Sequence, residues 1–173
     1  MIKKLVSFDF DTTLVFTPEA EEGKALYELK TGKEWPFSGF WGRKESMDLK
    51  VFDIPINEWT YPYYLQYSSD PEAYTFLATG RIRRLEPEVK KVLDHHKFKF
   101  ADEFLTPNGG NTYDFKRTLF DKIISENPHA DEFIMFDDRQ EHLSLFIQWA
   151  KRKNIRVTIY DALNQKELFK NYK

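Results

Sequence analysis

The apolar positions of the chain fall into short consecutive runs that are separated by segments with helical spacing. Such runs, which are typical of strands buried on both faces of a sheet, occur at residues 4–10, 74–78, 103–106, 133–136 and 155–160. In the segments between them, apolar residues recur every three or four positions and predict helices. The alternation predicts an α/β fold of the Rossmann-like kind, in which a central parallel five-stranded sheet carries helices on both faces.

Capping residues and periodicity place the predicted helices. The first should begin near Pro18, with Thr17 as a candidate cap, and should end around Thr31 and Gly32. Further helices are predicted through residues 89–93, 115–124 and 143–150, and a terminal helix over residues 163–172. Each predicted helix therefore follows a predicted strand.

Residues 33–70 break this alternation. Tryptophan, tyrosine and phenylalanine crowd there among prolines and glycines without a clear period, which predicts a small irregular insertion in a single domain over residues 1–173. One interpretation is a small satellite core built from large rings. The other is a base-stacking surface, because Lys33, Arg43, Lys44 and Lys50 are interleaved with the rings.

Composition narrows the class of protein. The chain has 173 residues, of which 41% are hydrophobic and 31% are charged, and it contains no cysteine. No apolar stretch approaches the roughly 18 to 20 residues of a membrane span, so we expect no membrane insertion and a cytoplasmic location. Disulfides and thiolate metal sites are excluded. A net charge of -2 favours short nucleic-acid contacts over long ones, which need many phosphate contacts.

Polar residues follow several predicted strands at the point where each strand ends. They are Asp9 and Asp11 after the first, Thr79, Gly80 and Arg81 after the second, and Asp137 and Asp138 after the fourth. Because ligands of parallel sheets bind beyond the carboxyl ends of strands, these side chains should converge. Carboxylates crowded together repel one another and are tolerated mainly beside a divalent cation. Mg²⁺ fits because it prefers carboxylates, waters and phosphate oxygens, whereas zinc favours histidine or cysteine.

The order of these residues carries a resemblance to a known superfamily. Residues 8–14 read Phe-Asp-Phe-Asp-Thr-Thr-Leu and resemble the nucleophile motif of the haloacid dehalogenase (HAD) superfamily, DxDxT or DxDxV after an apolar strand. Thr79 resembles the second motif, Lys116 the third, and Asp137 with Asp138 the acidic fourth. One departure is Thr12, where the family most often has glycine, and this makes the geometry of the turn less certain.

The resemblance implies a Mg²⁺-dependent phosphohydrolase with defined residue roles. Asp9 would attack phosphorus to form an aspartyl-phosphate, and Asp11 would protonate the leaving oxygen and later activate water. Thr79 and Lys116 would hold the transferring phosphoryl oxygens. The metal would lie among Asp9, the Asp11 carbonyl, Asp138 and Asp137.

Two cations of the site are open to alternatives on sequence alone. Lys116 lies in a helix that also carries Arg117, which is the fallback for the phosphate-site cation. Arg81 directly follows Thr79 and Gly80, where a guanidinium suits phosphate binding, but it could instead pair with a structural carboxylate. We expect Gly80 and Arg81 to contact substrate.

A narrower resemblance bears on the substrate. Thr17-Pro18, the tryptophan-rich insertion, the segment 78–81 and the segment 137–142 look like the Swiss Army Knife RNA repair phosphatases, and related features recur in polynucleotide kinase 3′-phosphatases. This implies action on nucleic-acid or nucleotide end phosphates, in repair or end healing. The alternatives are a phosphatase of small phosphorylated metabolites and a binding module without catalysis. The sequence leaves the oligomeric state open.

Overall fold

A computed structural model describes residues 1–171 and contains one mixed sheet. Its strands are β1 (Lys4–Phe8), β2 (Ala73–Ile82), β3 (Asp102–Thr106), β4 (Glu132–Asp137), β5 (Arg156–Asp161) and β6 (Lys166–Lys170). They are ordered β3-β2-β1-β4-β5-β6, and all neighbours pair in parallel except β5 and β6. The predicted α/β architecture is confirmed, and β1 lies between β2 and β4.

The helices largely follow the sequence pattern. They are α1 (Ala20–Thr31), α2 (Tyr61–Ser68), α3 (Glu86–His95), α4 (Thr112–Glu126) and α5 (Gln140–Ala150), with short 3-10 turns at Lys44–Met47 and Arg83–Leu85. α1 ends at Gly32 as predicted, where a φ of 69° lets its N–H bond the carbonyl of Glu28. Thr17 does not cap this helix. No helix within residues 1–171 is long and apolar enough to cross a membrane.

The carboxyl-terminal prediction was wrong. The segment expected to be a terminal helix over residues 163–172 instead forms β6, which pairs antiparallel with β5 and gives the sheet a sixth strand, while residue 172 lies outside the described residues. A short isolated helix gains little, whereas pairing satisfies the open edge of β5. Leu168 and Phe169 also pack on the core in this arrangement.

The two faces of the sheet bury two separate apolar clusters. Alternate residues of β1 and β4 point to opposite faces, so Val6 and Ile134 join one cluster while Leu5 and Phe133 join the other. α4 and α5 cover the second cluster. α3 and the insertion, residues 33–70, cover the first.

The insertion is more ordered than predicted, since it contains α2 and a 3-10 turn. Most of its rings are packed rather than presented: Tyr64 lies 6.1 Å from the ring of Phe8 and 4.7 Å from that of Phe98. Tyr61 stacks on Tyr64 and contacts Phe98. The satellite-core interpretation therefore describes most of the insertion, which is continuous with the core of the sheet.

Candidate active site

Asp9 directly follows β1 at its carboxyl end. Its backbone N–H donates to the carbonyl of Phe136 at 3.0 Å, and the residue is 7% exposed. Its Oδ1 accepts a hydrogen bond from Lys116 Nζ at 2.8 Å. Its Oδ2 accepts no hydrogen bond from residues 1–171. Burial, which Lys116 only partly offsets, raises the pKa of Asp9 to about 6.

Lys116 is the cation beside this carboxylate. It lies near the start of α4, whose first turn is capped by the Asn111 side chain accepting from the N–H of Asp114 at 3.0 Å. Its Nζ also donates to Asp137 Oδ2 at 2.7 Å. Burial alone would lower the pKa of Lys116, but the two carboxylates outweigh it and hold the pKa above its usual range. Lys116 lines the site cavity and Arg117 does not.

Asp137 and Asp138 at the end of β4 differ in their partners. Asp137 accepts from Lys116 and from the N–H of Arg139 at 3.1 Å. The carboxylate of Asp138 accepts no hydrogen bond within residues 1–171. Burial and repulsion by Asp9 and Asp137 raise the pKa of Asp138 to about 8.

These carboxylates have the composition of a cation site. One oxygen each of Asp9, Asp137 and Asp138 lies within 4.8 Å of the others. Three acidic groups share the single charge of Lys116, and the unpaired Asp138 resists ionisation there. A divalent cation would offset the remaining repulsion, so an all-oxygen donor set fits a metal ion at this position.

Asp11 is held by two side chains. Its Oδ1 accepts from Thr17 Oγ1 at 2.6 Å and from Arg81 Nη2 at 2.7 Å. Its Oδ2 accepts from Arg81 Nε at 2.9 Å. The hydroxyl predicted to cap α1 therefore orients the second aspartate of the motif instead.

Arg81 is buried at 3% exposure and is largely engaged by the protein. Besides Asp11, its Nη1 donates to the carbonyl of Trp41 at 2.7 Å and to Ser46 Oγ at 2.9 Å. Its guanidinium also lies 4.9 Å from the centre of the Trp41 ring. Arg81 therefore pairs with a carboxylate, that of Asp11, which is the alternative that the sequence left open. A contact of Arg81 with substrate stays a prediction.

Thr79 and Gly80 lie beside this arginine at the end of β2. Thr79 is fully buried, and its Oγ1 accepts from the N–H of Arg81 at 3.0 Å. Gly80 lines the cavity, where an added Cβ would come within 3.2 Å of Thr112. Gly80 is thus placed to touch a bound group, while a substrate contact for Thr79 stays a prediction.

The turn after Asp11 has the conformation that the sequence left uncertain. Thr12 has a φ of 62°, in the left-handed region that usually favours glycine. Its carbonyl accepts from Asn57 Nδ2 at 2.7 Å, and Asn57 is 1% exposed. An amide from the insertion therefore supports a strained turn directly after the second motif aspartate.

An open cavity of about 420 Å³ connects these groups. Its lining includes Asp9, Asp11, Lys116, Asp137 and Asp138, together with Trp41 and Gly42 from the insertion, Glu19, Gly80, Arg81, Thr112, Arg139 and His142. The structure thus brings every predicted site residue except Thr79 to the wall of one cavity. His142, whose role the sequence left open, is half-buried there, and burial together with Arg139 lowers its pKa.

Sequence reasoning missed Ser46, Asn57, Glu19 and Thr112. Ser46 and Asn57 act across 35 and 45 residues of chain, and neither lies in a local motif. In the sequence, Glu19 looks like an ordinary acidic residue before a helix, and Thr112 looks like an ordinary first residue of a helix. The one available signal was Thr12, since an unfavourable turn residue implies a partner that supports it.

Comparison with known proteins identifies the family. The model of HAD domain family 1 in Swiss Army Knife RNA repair proteins matches residues 57–171. The matched range contains Lys116, Asp137 and Asp138, whereas Asp9 and Asp11 precede it. No curated protein sequence matches the chain significantly.

Solved structures share the fold at low sequence identity. A candidate phosphatase from Clostridium difficile superposes with a TM-score of 0.54 at 16% identity, over 91% of this chain and 84% of that chain. An archaeal β-phosphoglucomutase from Pyrococcus sp. strain ST 04 superposes with a TM-score of 0.51 at 14% identity, over 91% and 86%. The family match covers well over half of the chain, so the protein belongs to HAD domain family 1 in Swiss Army Knife RNA repair proteins.

Proposed function

We propose that the protein hydrolyses phosphate monoesters at nucleic-acid or nucleotide ends through an aspartyl-phosphate on Asp9. The observation that carries the chemistry is the contact of Lys116 with Asp9 Oδ1, because it leaves Asp9 Oδ2 without a donor within residues 1–171, and both Asp9 and Asp11 line the cavity. A nucleophile, a phosphate-site cation and an acid-base group are thereby within one small volume.

The proposed reaction has two steps. In the first, Asp9 Oδ2 attacks phosphorus, the bond from phosphorus to the ester oxygen breaks, and Asp11 gives that oxygen a proton. In the second, Asp11 takes a proton from water, and the water oxygen attacks phosphorus to release inorganic phosphate and restore Asp9. The ammonium of Lys116 offsets charge on the phosphoryl oxygens in both steps.

We further propose that the acidic cluster binds Mg²⁺. Asp9 and Asp138 would be direct ligands together with the Asp11 carbonyl, while Asp137, whose oxygens already accept from Lys116 and Arg139, would support the site. When bound, the ion neutralises the carboxylates and the substrate phosphate. The raised pKa of Asp138 supports this assignment, because an ionised group there lacks a partner.

Nucleic-acid ends are the proposed substrate class for three reasons. The family is that of RNA repair proteins. The partly exposed ring of Trp41 lines the cavity, as a base-stacking platform would. Exposed Arg84, whose Nη2 donates to the carbonyl of Gly42 at 3.0 Å, and exposed Arg139 offer cations beside it.

A small-metabolite phosphatase is the second candidate, and the packing of the insertion favours it. Tyr64, Tyr67, Phe40 and Phe52 are buried, so few rings remain for bases. The chemistry is the same for both candidates. Only the group that leaves with the ester oxygen differs.

The substrate experiment compares turnover of 3′- and 5′-phosphorylated oligonucleotides, mononucleotides and sugar phosphates with Mg²⁺ present. We expect the highest kcat/KM with an end-phosphorylated oligonucleotide, because Trp41 and the exposed arginines can contact the strand. Faster turnover of sugar phosphates would support the metabolite alternative. A protein that binds end-phosphorylated strands but hydrolyses no ester, aryl phosphate included, would be a binding module.

The mechanism itself is tested by Asp9→Asn. We expect hydrolysis to fall by several orders of magnitude with the fold retained, because an amide is a poor nucleophile. Circular dichroism and melting curves serve as the control for folding. Relief of repulsion around Asp138 should leave the metal-free variant at least as stable as the parent protein. Substantial residual hydrolysis of an aryl phosphate by pure variant protein would refute the role of Asp9.

A further inference from the structure

The insertion, residues 33–70, reaches the catalytic carboxylates through a buried serine. Ser46 is 0% exposed and lies in the 3-10 turn of the insertion. Its hydroxyl donates to the carbonyl of Arg43 at 2.7 Å and accepts from Arg81 Nη1 at 2.9 Å. A hydroxyl has one proton, so with that proton committed to Arg43 its oxygen can only accept from Arg81.

The insertion holds Arg81 at a second point. The carbonyl of Trp41 accepts from the same Nη1 at 2.7 Å. Both N–H groups of Nη1 are therefore engaged by fixed acceptors, and a planar guanidinium held in this way cannot rotate without losing two hydrogen bonds to a charged group. The opposite edge, formed by Nε and Nη2, is thereby aimed at Asp11.

This arrangement distinguishes the two oxygens of Asp11. Oδ1 accepts short hydrogen bonds from Thr17 Oγ1 at 2.6 Å and from Arg81 Nη2 at 2.7 Å. Oδ2 has one close contact, with Arg81 Nε at 2.9 Å. Oδ2 is consequently the oxygen with lone-pair capacity left to carry a proton to or from a reacting group.

We propose that Ser46 is a positioning residue for the acid-base steps: it fixes Arg81, and Arg81 fixes the carboxylate of Asp11 with Oδ2 directed to the ester oxygen. The insertion is then part of the catalytic apparatus as well as a cover for the sheet. The proposal rests on the proposed role of Asp11, and it makes no use of the identity of the substrate.

The proposal has a signature that a purely structural role lacks. Proton donation matters most when the leaving oxygen is strongly basic, as in an alkyl phosphate, and least when it is weakly basic, as in 4-nitrophenyl phosphate. Misplacing Asp11 should therefore slow phosphoryl transfer from alkyl esters selectively. A loss of fold or of active protein should slow both esters equally.

The experiment measures single-turnover release of the leaving group with enzyme in excess, so that hydrolysis of the aspartyl-phosphate does not contribute. Ser46→Ala should lower the rate for an alkyl phosphate that the parent protein hydrolyses, such as a nucleoside 3′-monophosphate or a sugar phosphate, about tenfold, the scale of one hydrogen bond to a charged group. It should change the rate for 4-nitrophenyl phosphate less than about twofold. Ser46→Thr, which keeps the hydroxyl, should recover much of the alkyl rate.

Thr60→Val is the matched control. Thr60 is likewise 0% exposed and lies in the insertion, but its hydroxyl has no hydrogen-bond partner within residues 1–171 and does not touch Arg81. This variant should leave the ratio of the two rates unchanged. Ser46→Cys, with a thiol of similar size, provides the same measurement if the alanine variant does not fold.

Equal rate losses for both esters in folded Ser46 variants, or no loss for either, would overturn the positioning role while leaving the proposed function intact. Failure of the proposed function looks different: the parent protein would then hydrolyse neither ester, or Asp9→Asn would retain hydrolysis. Thermal melts of each variant show that the compared samples are folded.

Discussion

At the scale of single residues, the neighbouring carboxylates Asp137 and Asp138 have different contacts within the acidic cluster. Asp137 binds Lys116 and a backbone N–H, whereas Asp138 has no hydrogen-bond donor within residues 1–171. The two residues are adjacent in sequence, yet only the carboxylate of Asp138 has both oxygens free to bind a metal ion directly. Their substitutions should consequently have different effects.

Asp138→Ala should weaken Mg²⁺ binding more than Asp137→Ala does, by about tenfold or more, because a lost direct ligand costs more than a lost supporting group. Isothermal titration or the metal dependence of the melting temperature measures both constants. Asp137→Ala should instead reduce activity at saturating Mg²⁺, since it frees Lys116. Equal or reversed metal midpoints would contradict the assignment.

The same cluster predicts how stability depends on pH without metal. The pKa values of Asp9 and Asp138 are raised to about 6 and about 8, so between pH ~4 and pH ~8 the folded state binds more protons than the unfolded state. The protonated forms of Asp9 and Asp138 therefore contribute fully to the free energy of unfolding at low pH, and this contribution is lost as pH rises through 6 and 8.

Melting temperatures in a chelator should accordingly fall as pH rises across that window. Asp138→Asn should flatten the upper part of the fall, because its amide carries no charge to bury. Mg²⁺ should stabilise the protein more at pH 8 than at pH 6. A melting temperature of the parent protein that rises over this range would exclude the inferred burial of unpaired carboxylates.

Sequence could identify these residues because their signals are local. Asp9 and Asp11 are two positions apart on one strand end, and Lys116 and Asp138 follow in the order of a known motif set. Ser46 and Asn57 could not be found in this way, because their value comes from partners 35 and 45 residues distant. The sequence likewise did not show which carboxylate pairs with Arg81, because that pairing depends on contacts of Arg81 with the insertion.

At the scale of elements, the turn after Asp11 depends on the insertion. Thr12 holds a left-handed conformation, and Asn57 donates to its carbonyl while accepting from the N–H of Trp59. A non-glycine residue in this conformation costs roughly 1–2 kcal/mol. The Asn57 amide helps to offset that cost.

Asn57→Ala should destabilise the protein by roughly 1–3 kcal/mol, the cost of an unsatisfied buried partner, and should lower kcat by misplacing Asp11. Adding Thr12→Gly should restore part of the lost stability, since glycine adopts the turn without strain. Urea unfolding of the single and double variants checks both effects. If the glycine gives no recovery, the turn is not the source of the strain.

The element missed from sequence, β6, shows where periodicity fails. Residues 163–172 have apolar positions compatible with a helix, but local propensity is weak over one or two turns. The open edge of β5 supplies hydrogen bonds that no local pattern reveals. The strands of the parallel core were predictable because each is a nearly continuous apolar run.

At the scale of the whole molecule, the position of the insertion limits how a strand can be recognised. Trp41 lies at the cavity with its ring near Arg81, whereas Tyr61 packs on Tyr64 and Phe98 away from it. Tyr61 therefore belongs to the satellite core and does not line the cavity. Connectivity places the insertion near β1 but does not say which rings turn inward.

Trp41→Ala should lower kcat/KM for an end-phosphorylated oligonucleotide by a factor equivalent to about 1–3 kcal/mol of transition-state stabilisation, the scale of one stacked base. A small aryl phosphate should lose less. Tyr61→Ala is the control: it should lower the melting temperature with little change in the ratio of the two substrates. Equal losses on both substrates with early melting of Trp41→Ala would make that ring a core residue and remove this support for nucleic acid.

The central position of β1 in the sheet has a consequence for how activity changes on warming. β1 is paired along both sides, so its amides can exchange with solvent only when neighbouring strands separate. Asp9, the proposed nucleophile, thus directly follows a strand that is paired on both sides, while Asp11 is held by Arg81, which the insertion contacts through Ser46 and the carbonyl of Trp41. Warming should therefore first disturb proton transfer, with the attacking carboxylate still in place. Below the melting temperature the enzyme should become selective for esters that need no acid.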